Sequence, residues 1–317
     1  MLQQTQIKTV VPYYKRWLRA FPNVKALASA PLDQVLKLWE GLGYYTRARN
    51  LHKAAKTIVE QFDSQIPDDA EELRKLPGIG RYTAGAIASI AFQKPIPLVD
   101  GNVARVLTRL FNIRKDISKP ATQMELYELA GALISQRNPG TFNQALMELG
   151  SLVCVPEMPK CHLCPVSGAC RAFRKGDPSL LPIQGNKAKI KKIEMVVGIL
   201  AKDGRLLVRR RPERGIWGGL WEIPGTIRTK NETPEEVLRR EFEEAMKIQI
   251  TIDRRLLSIQ HRFTHRLATI HPFCCSLKGG TANQKIHVPS VLWADRKTLK
   301  KLSLPRPHQK ILSEHLL

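Results

Sequence analysis

Residues 76–100 read LPGIGRYTAGAIASIAFQKPIPLVD, and this stretch decides the fold of the first half of the chain. Pro77-Gly78-Ile79-Gly80 makes a tight turn between two segments of helical pattern, Asp68–Leu76 and Arg81–Phe92. Glycine at 78 and at 80 permits positive φ and close backbone approach, so amide N–H groups converge on an anion beside a helix N-terminus. Two prolines then lead to a lone carboxylate, Asp100, which opens another helical pattern at VDGNVARV.

Charge says which anion to expect. The 317 residues carry 51 Lys+Arg against 28 Asp+Glu, a formal net charge of +23. Such an excess favours a polyanion and salt-sensitive binding, so the turn is read as a grip on DNA phosphate. No apolar run approaches bilayer-spanning length, which argues against a membrane partner. A phosphate-gripping turn followed by one carboxylate predicts chemistry on DNA.

Outward from the turn, residues 1–150 are helical in pattern, with apolar residues at three- and four-residue spacing in Pro31–Glu40, Ala48–Gln61, Thr83–Phe92, Val103–Phe111 and Gln123–Ser135. The stretch KGDPSLLPIQGNKAKIKK, 175–192, combines Pro, Gly and lysines as an exposed linker does. After Ile193 the period changes. Met195–Ala201 and Arg205–Arg209 read as strands joined at Asp203-Gly204, a strong hairpin signal. Pro234–Met246 is helical in pattern. Ile248–Ile252, Leu257–His261, Ala268–Ser276 and Ser290–Ala294 are strand-like. The expected architecture is a mainly α domain over 1–174, a linker over 175–192, and an α+β domain over 193–317.

Cysteine usage points to a metal in a reducing compartment. Four of the six cysteines, Cys154, Cys161, Cys164 and Cys170, crowd into one loop at 154–170. Four thiolates in so short a loop suit a metal, and either zinc or an iron–sulfur cluster accepts such ligands; the spacing favours the cluster. With every ligand position filled by protein, the site is structural. Lys160, Arg171, Arg174 and Lys175 flank it and face a phosphate backbone in this reading. Cys274 and Cys275 read as small buried hydrophobes.

A helix–hairpin–helix followed by VDGN and a C-x6-C-x2-C-x5-C loop resembles the iron–sulfur DNA glycosylases of the endonuclease III superfamily. Within it, MLQQTQ (1–6), WEGLGYYTRARNLHKAA (39–55) and FNQALMELGSLVC (142–154) resemble the MutY-type adenine DNA glycosylases. The resemblance implies a two-lobed helical helix–hairpin–helix fold and a [4Fe–4S] cluster. It also implies removal of adenine mispaired with 8-oxoguanine or guanine in double-stranded DNA, by flipping the adenosine out of the stack. The expected protein is a monomer in the cytoplasm, at the bacterial nucleoid. A non-catalytic lesion-binding protein of the same fold is the alternative.

Tyr82 separates the nearest relatives. Bifunctional members of the superfamily carry a lysine two residues after the second hairpin glycine and form a Schiff base with it. A phenol has no amine to form that imine, so a lyase is opposed here. By resemblance Tyr82 lines the pocket and supports the reacting sugar. Asp100 stabilises positive charge on that sugar or captures C1′ as the N-glycosidic bond breaks; read from sequence alone it is equally a favoured N-cap. Asn102 matches a family position that hydrogen-bonds near this carboxylate. For DNA contacts the resemblance points to Leu2, Gln3 and Gln4 as a wedge at the vacated stack and to Tyr44 as an intercalating ring, beside the Gly78 and Gly80 turn.

In the C-terminal part, WGGLWEIPG at 217–225 and RREFEEA at 239–245 resemble a Nudix fold. Gly225 and Glu232 stand one residue too far apart for the hydrolase pattern. Ala245 replaces a ligand glutamate, and Lys247 stands where glycine belongs. Losing a carboxylate and adding a cation predicts a binding module without hydrolysis. His261-Arg262-Phe263-Thr264-His265 resembles the loop by which the MutY-type enzymes detect 8-oxoguanine, which implicates Phe263, Thr264 and His265 in lesion contact.

The first helical pattern has no capping residue before Leu2 and no acid in its first turn. In the family a general-acid glutamate lies two residues upstream of the methionine that Met1 matches. Neither Glu40 nor Glu60 matches its position. The expectation is a chain truncated at its N-terminus that binds DNA with at best residual glycosylase activity. General-acid help is worth about 10²–10⁴-fold.

Overall fold

The computed structural model describes the chain apart from residues 3–4, 186–189, 214, 264–265, 279–289 and 316–317. It divides into two compact units, Met1–His52 with Ala188–Leu317, and Lys53–Lys187. Compactness thus groups the first 52 residues with the C-terminal region, an association that composition along the chain does not show.

The helices of the first third are α1 (Ile7–Ala20), α2 (Val24–Ser29), α3 (Leu32–Trp39) and α4 (Thr46–Gln61). The Lys53–Lys187 unit continues with α5 (Ala70–Lys75), α6 (Arg81–Phe92), α7 (Gly101–Phe111), α8 (Pro120–Leu133), α9 (Pro139–Glu148) and α10 (Arg171–Arg174). Side chains start two of these helices: Asp69 accepts from Glu71 N and Glu72 N, and Asp100 from Val103 N. Leu98, Val103, Leu107, Leu126 and Ala130 form the core between α7 and α8.

Small residues set how closely α6 is packed. Ala84, Gly85, Ala88 and Ser89 are all buried on it, and a Cβ on Gly85 would lie 2.5 Å from the Pro97 carbonyl oxygen. Opposite, Asn143 of α9 donates to Ser89 Oγ at 2.9 Å and to the Ile96 carbonyl at 3.0 Å. The segment following α9 is a π turn, Leu149–Val153, leading into the cysteine loop. Part of the segment read as linker is packed here: Leu181 is buried, and Ile117 N donates to the Ile183 carbonyl.

The other unit is built on a mixed sheet. Its strands are β1 (Lys191–Lys202), β2 (Arg205–Arg210), β3 (Trp221–Glu222), β4 (Gly225–Ile227), β5 (Ile250–Arg255), β6 (Ile259–Arg262), β7 (Arg266–Leu277) and β8 (Val291–Ala294). The order is β3-β2-β1-β7-β5, with β4 on β1, β6 on β7 and β8 on β2. β1 and β7 run parallel from Lys191↔Arg266 to Leu200↔Cys275. Asp203 and Gly204 both take positive φ, as the two-residue hairpin between β1 and β2 requires.

Alternation along β1 feeds two cores. Met195, Val197 and Ile199 face one side with Ile311 and Leu312 of α13 (Arg306–His315). Val196 and Leu200 face the other with Val237 and Leu238 of α11 (Pro234–Arg239) and Phe242. The helical pattern expected over Pro234–Met246 is an α-helix only to Arg239; Arg240–Ala245 is a π turn. Along the chain, α12 (Arg296–Lys301) lies between β8 and α13. No described helix is long and apolar enough to cross a membrane.

Candidate functional site

The hairpin at 76–80 forms as its turn residues dictate. α5 stops before Leu76, Gly78 takes φ +81, and Ile79 N donates to the Leu76 carbonyl at 3.1 Å. Gly80 departs from expectation: its backbone is extended (φ −91, ψ 178), and a Cβ there would meet nothing within 4 Å. Only Gly78 needs the left-handed region. Gly80 instead precedes α6 as a residue with no side chain to cap the helix, which leaves the N-terminal amide end unobstructed.

Asp100 and Tyr82 come together in the same unit. Asp100 Oδ1 accepts from Val103 N at 2.7 Å and Oδ2 from Asn102 Nδ2 at 3.0 Å. Tyr82 is half-buried, and its hydroxyl donates to Met147 Sδ at 3.7 Å. Burial pushes the Tyr82 phenol pKa up, and the nearby charge of Asp100 adds to the shift. The phenol therefore stays neutral. Arg81, one residue earlier, lies over the Tyr127 ring at 3.8 Å.

Behind Asp100 runs a line of buried arginines that sequence reading missed. Asn102 Oδ1 accepts from Arg105 Nη2 at 2.9 Å, and Arg105 also donates to the Gly150 carbonyl (2.6 Å) and the Cys154 carbonyl (2.7 Å). Arg109, one turn on and 1% exposed, donates to the carbonyls of Leu181, Val155 and Pro156. The only signal in the sequence is an arginine pair four residues apart on an otherwise apolar helix. Gly150 completes the contact, since a Cβ there would lie 2.6 Å from Asn102 Cβ. Asp100 is thereby tied through Asn102 and Arg105 to the start of the cysteine loop.

Cys154, Cys161, Cys164 and Cys170 line one small cavity with Arg109. Burial raises the Cys161 thiol pKa, and the other three sulfurs, close enough to interact with it, raise it further. Arg109 Nη1 donates to Cys154 Sγ at 3.3 Å. Among the described residues no three His, Cys, Asp or Glu side chains close to the spacing of a single-ion site. Tetrahedral zinc, with Zn–S of about 2.3 Å, would hold its sulfurs only about 3.8 Å apart. Four thiols line that one cavity, a donor set that suits either zinc or an iron–sulfur cluster.

The remaining candidates lie in the unit that contains the sheet. Tyr44 follows Gly43 in the left-handed region (φ 49) and is 48% exposed. Such a conformation costs a non-glycine residue about 1–3 kcal/mol and persists where the surrounding structure fixes it. Arg47 holds the turn, donating to the Met1 carbonyl at 2.9 Å and lying over the Tyr44 ring at 5.5 Å. Phe263 packs on Trp217 (centroids 5.1 Å) and His261 (4.9 Å). Tyr44, Trp217 and Phe263 line one cavity of about 410 Å³ together with Arg49, Arg262 and Arg266. An aromatic wall with guanidinium groups suits a base attached to its phosphate. Leu2 is exposed. Gln3, Gln4, Thr264 and His265 lie outside the described residues.

Comparison with known proteins shows the family. The profile of the HhH-GPD superfamily base excision DNA repair protein matches residues 1–131, and that of the NUDIX domain matches 195–314. The adenine DNA glycosylase of Buchnera aphidicola subsp. Schizaphis graminum is 35% identical over 315 residues, covering 98% of this chain and 88% of the relative. That of Homo sapiens is 36% identical over 329 residues, where 89% of the chain spans 60% of the human protein's length. A thermostable thymine-DNA glycosylase structure aligns over 55% of this chain and 80% of its own, with a TM-score of 0.50 at 26% identity. The chain belongs to the adenine DNA glycosylase family of base-excision repair.

Proposed function

We propose that this chain removes adenine mispaired with 8-oxoguanine or guanine from duplex DNA, flipping the adenosine out of the stack and hydrolysing its N-glycosidic bond without cutting the strand. The observation that carries this reading is the Asp100 carboxylate held in place, with a tyrosine and not a lysine at position 82 of the same unit. A carboxylate fixed by Val103 N–H and Asn102 stabilises the positive charge that develops on the sugar as adenine departs. A tyrosine beside it supplies no amine, so no Schiff base forms and the product is an abasic site.

Recognition divides between the two units. The Gly78–Gly80 turn and the α6 N-terminus take a DNA phosphate. Tyr44 and Phe263 take the lesion strand, with Leu2, Gln3, Gln4, Thr264 and His265 as further contacts. Glu40 is engaged within the fold, accepting from Lys37 Nζ (2.6 Å) and Leu304 N (2.9 Å). Cys154, Cys161, Cys164 and Cys170 would hold a [4Fe–4S] cluster, which supplies a structural cross-link with all ligand positions filled. The protein acts as a monomer on double-stranded DNA in the cytoplasm.

Single-turnover assays on duplexes carrying A:8-oxoguanine, A:G and T:A pairs test the reading. Release of adenine from the first two, strand breakage only after alkali, and no borohydride-trapped adduct are expected. Lesion-selective binding with no adenine release would instead support a non-catalytic sensor, and a trapped adduct would overturn the monofunctional mechanism.

A further inference from the structure

Three oxygens from three elements of the sheet unit converge on one guanidinium. Arg209, near the end of β2, donates through Nη2 to Glu222 Oε1 at 2.8 Å and to the Gly225 carbonyl at 2.9 Å. Through Nη1 it donates to Glu241 Oε1. Arg211 takes the second oxygen of Glu222. Glu222 has no exposed surface and Glu241 is 6% exposed, so neither carboxylate is stabilised by solvent.

Each oxygen is fixed by the fold. Glu222 is the direct cross-strand partner of Arg209 on β3. Glu241 projects from the π turn after α11. Gly225 lies so close to β1 that a Cβ would come within 2.2 Å of the Val196 carbonyl oxygen. Two buried carboxylates and a peptide carbonyl gathered around one guanidinium are the donor set of a hard divalent cation. The guanidinium fills that place imperfectly, since Arg209 Nε is buried with no partner.

We propose that Arg209 is a built-in substitute for a divalent cation. The sheet unit retains an oxygen cage of Glu222, Glu241 and the Gly225 carbonyl, and the Arg209 guanidinium occupies it. Two arginines balance two glutamates, so the cage is neutral with Arg209 present and carries a net negative charge without it. A metal ion of the Mg²⁺ or Ca²⁺ class is excluded by the guanidinium and enters when it is removed. The replacements at Ala245 and Lys247 weaken metal binding from outside the cage, whereas Arg209 closes it from within.

Mn²⁺ is the probe, followed by electron paramagnetic resonance and by the thermal midpoint of the full chain. Wild type is expected to show no Mn²⁺ binding that depends on Glu241 and no shift of its midpoint in millimolar Mn²⁺. Arg209→Gln is expected to melt several degrees lower without metal, to bind a single equivalent of Mn²⁺, and to recover the lost degrees when it does. Adding Glu241→Gln to that variant should abolish both effects. Mn²⁺ uptake by wild type that Glu241→Gln removes would overturn the proposal, as would a folded Arg209→Gln that takes up none. Should Arg209→Gln fail to fold, it is refolded from denaturant with Mn²⁺ or with potassium alone. Recovery only with Mn²⁺ supports the proposal, and recovery in neither, while Arg209→Lys folds, counts against it.

Discussion

Asp100 uses its two carboxylate oxygens differently, so capping a helix and presenting a fixed carboxylate do not compete for the same atom. Oδ1 caps α7 through Val103 N, while Oδ2 meets Asn102, itself held by Arg105. One side chain is thus both an N-cap and a carboxylate held in a fixed orientation. Asp100→Asn keeps a capping oxygen but sets an amide N–H₂ against that of Asn102, for a loss of about 1 kcal/mol. A domain stable by about 5–15 kcal/mol stays folded after such a loss. Adenine excision should fall by about 10²–10³-fold or more, because the amide carries no charge to stabilise the sugar. Denaturant midpoints and single-turnover rates measure the two effects, and an Asn variant that excises at the parent rate removes Asp100 from the chemistry. Asp100 and the four cysteines are legible as candidates because residue type and spacing single them out. Arg105 and Arg109 are not, because their partners Gly150, Cys154 and Leu181 lie 45 or more positions away in the chain.

α13 shows how an element can make stability depend on pH. His308, on its first turn, is fully buried, and its Nδ1 accepts from Ile223 N at 3.1 Å. Burial first, then the positive charges of Arg211 and Arg209, depress its pKa to about 3. In the unfolded chain an imidazole titrates near pH 6.5. The unfolded state therefore binds the extra proton first as pH falls, so stability is complete above about pH 6.5 and declines from there toward pH 3. Urea midpoints at pH 7, 5 and 4, read from tryptophan fluorescence, should fall with pH in wild type. His308→Gln keeps a neutral acceptor and should flatten that decline. Equal slopes in the two proteins rule out His308 as its source. The helix itself was not among the segments read from periodicity, because its register is set by the sheet face it covers, where Ile311 and Leu312 meet Val197 and Ile199.

At the scale of the molecule, a net charge of +23 predicts steep salt dependence of DNA binding. A protein neutralising several phosphates loses about 10³–10⁵ in affinity between roughly 50 and 200 mM salt. Titration of a mispair-containing duplex across that range should show this loss, and an affinity indifferent to salt would remove the phosphate grip from the reading. The sequence by itself determined the helical and strand-bearing halves, the 76–80 turn, the Asp203-Gly204 hairpin and the crowding of four cysteines. These rest on turn chemistry, periodicity and ligand spacing, which act over a few residues. Only the tertiary structure decided that Met1–His52 packs with the sheet region, through Asp33 on Arg210, Glu40 on Leu304 N and Arg49 on the Gly218 carbonyl. It alone decided that Arg105 links Asp100 to the cysteine loop and that Arg209 fills an oxygen cage. Each of these pairs groups far apart along the chain, and buried charge finds its partner by packing, which no local pattern encodes.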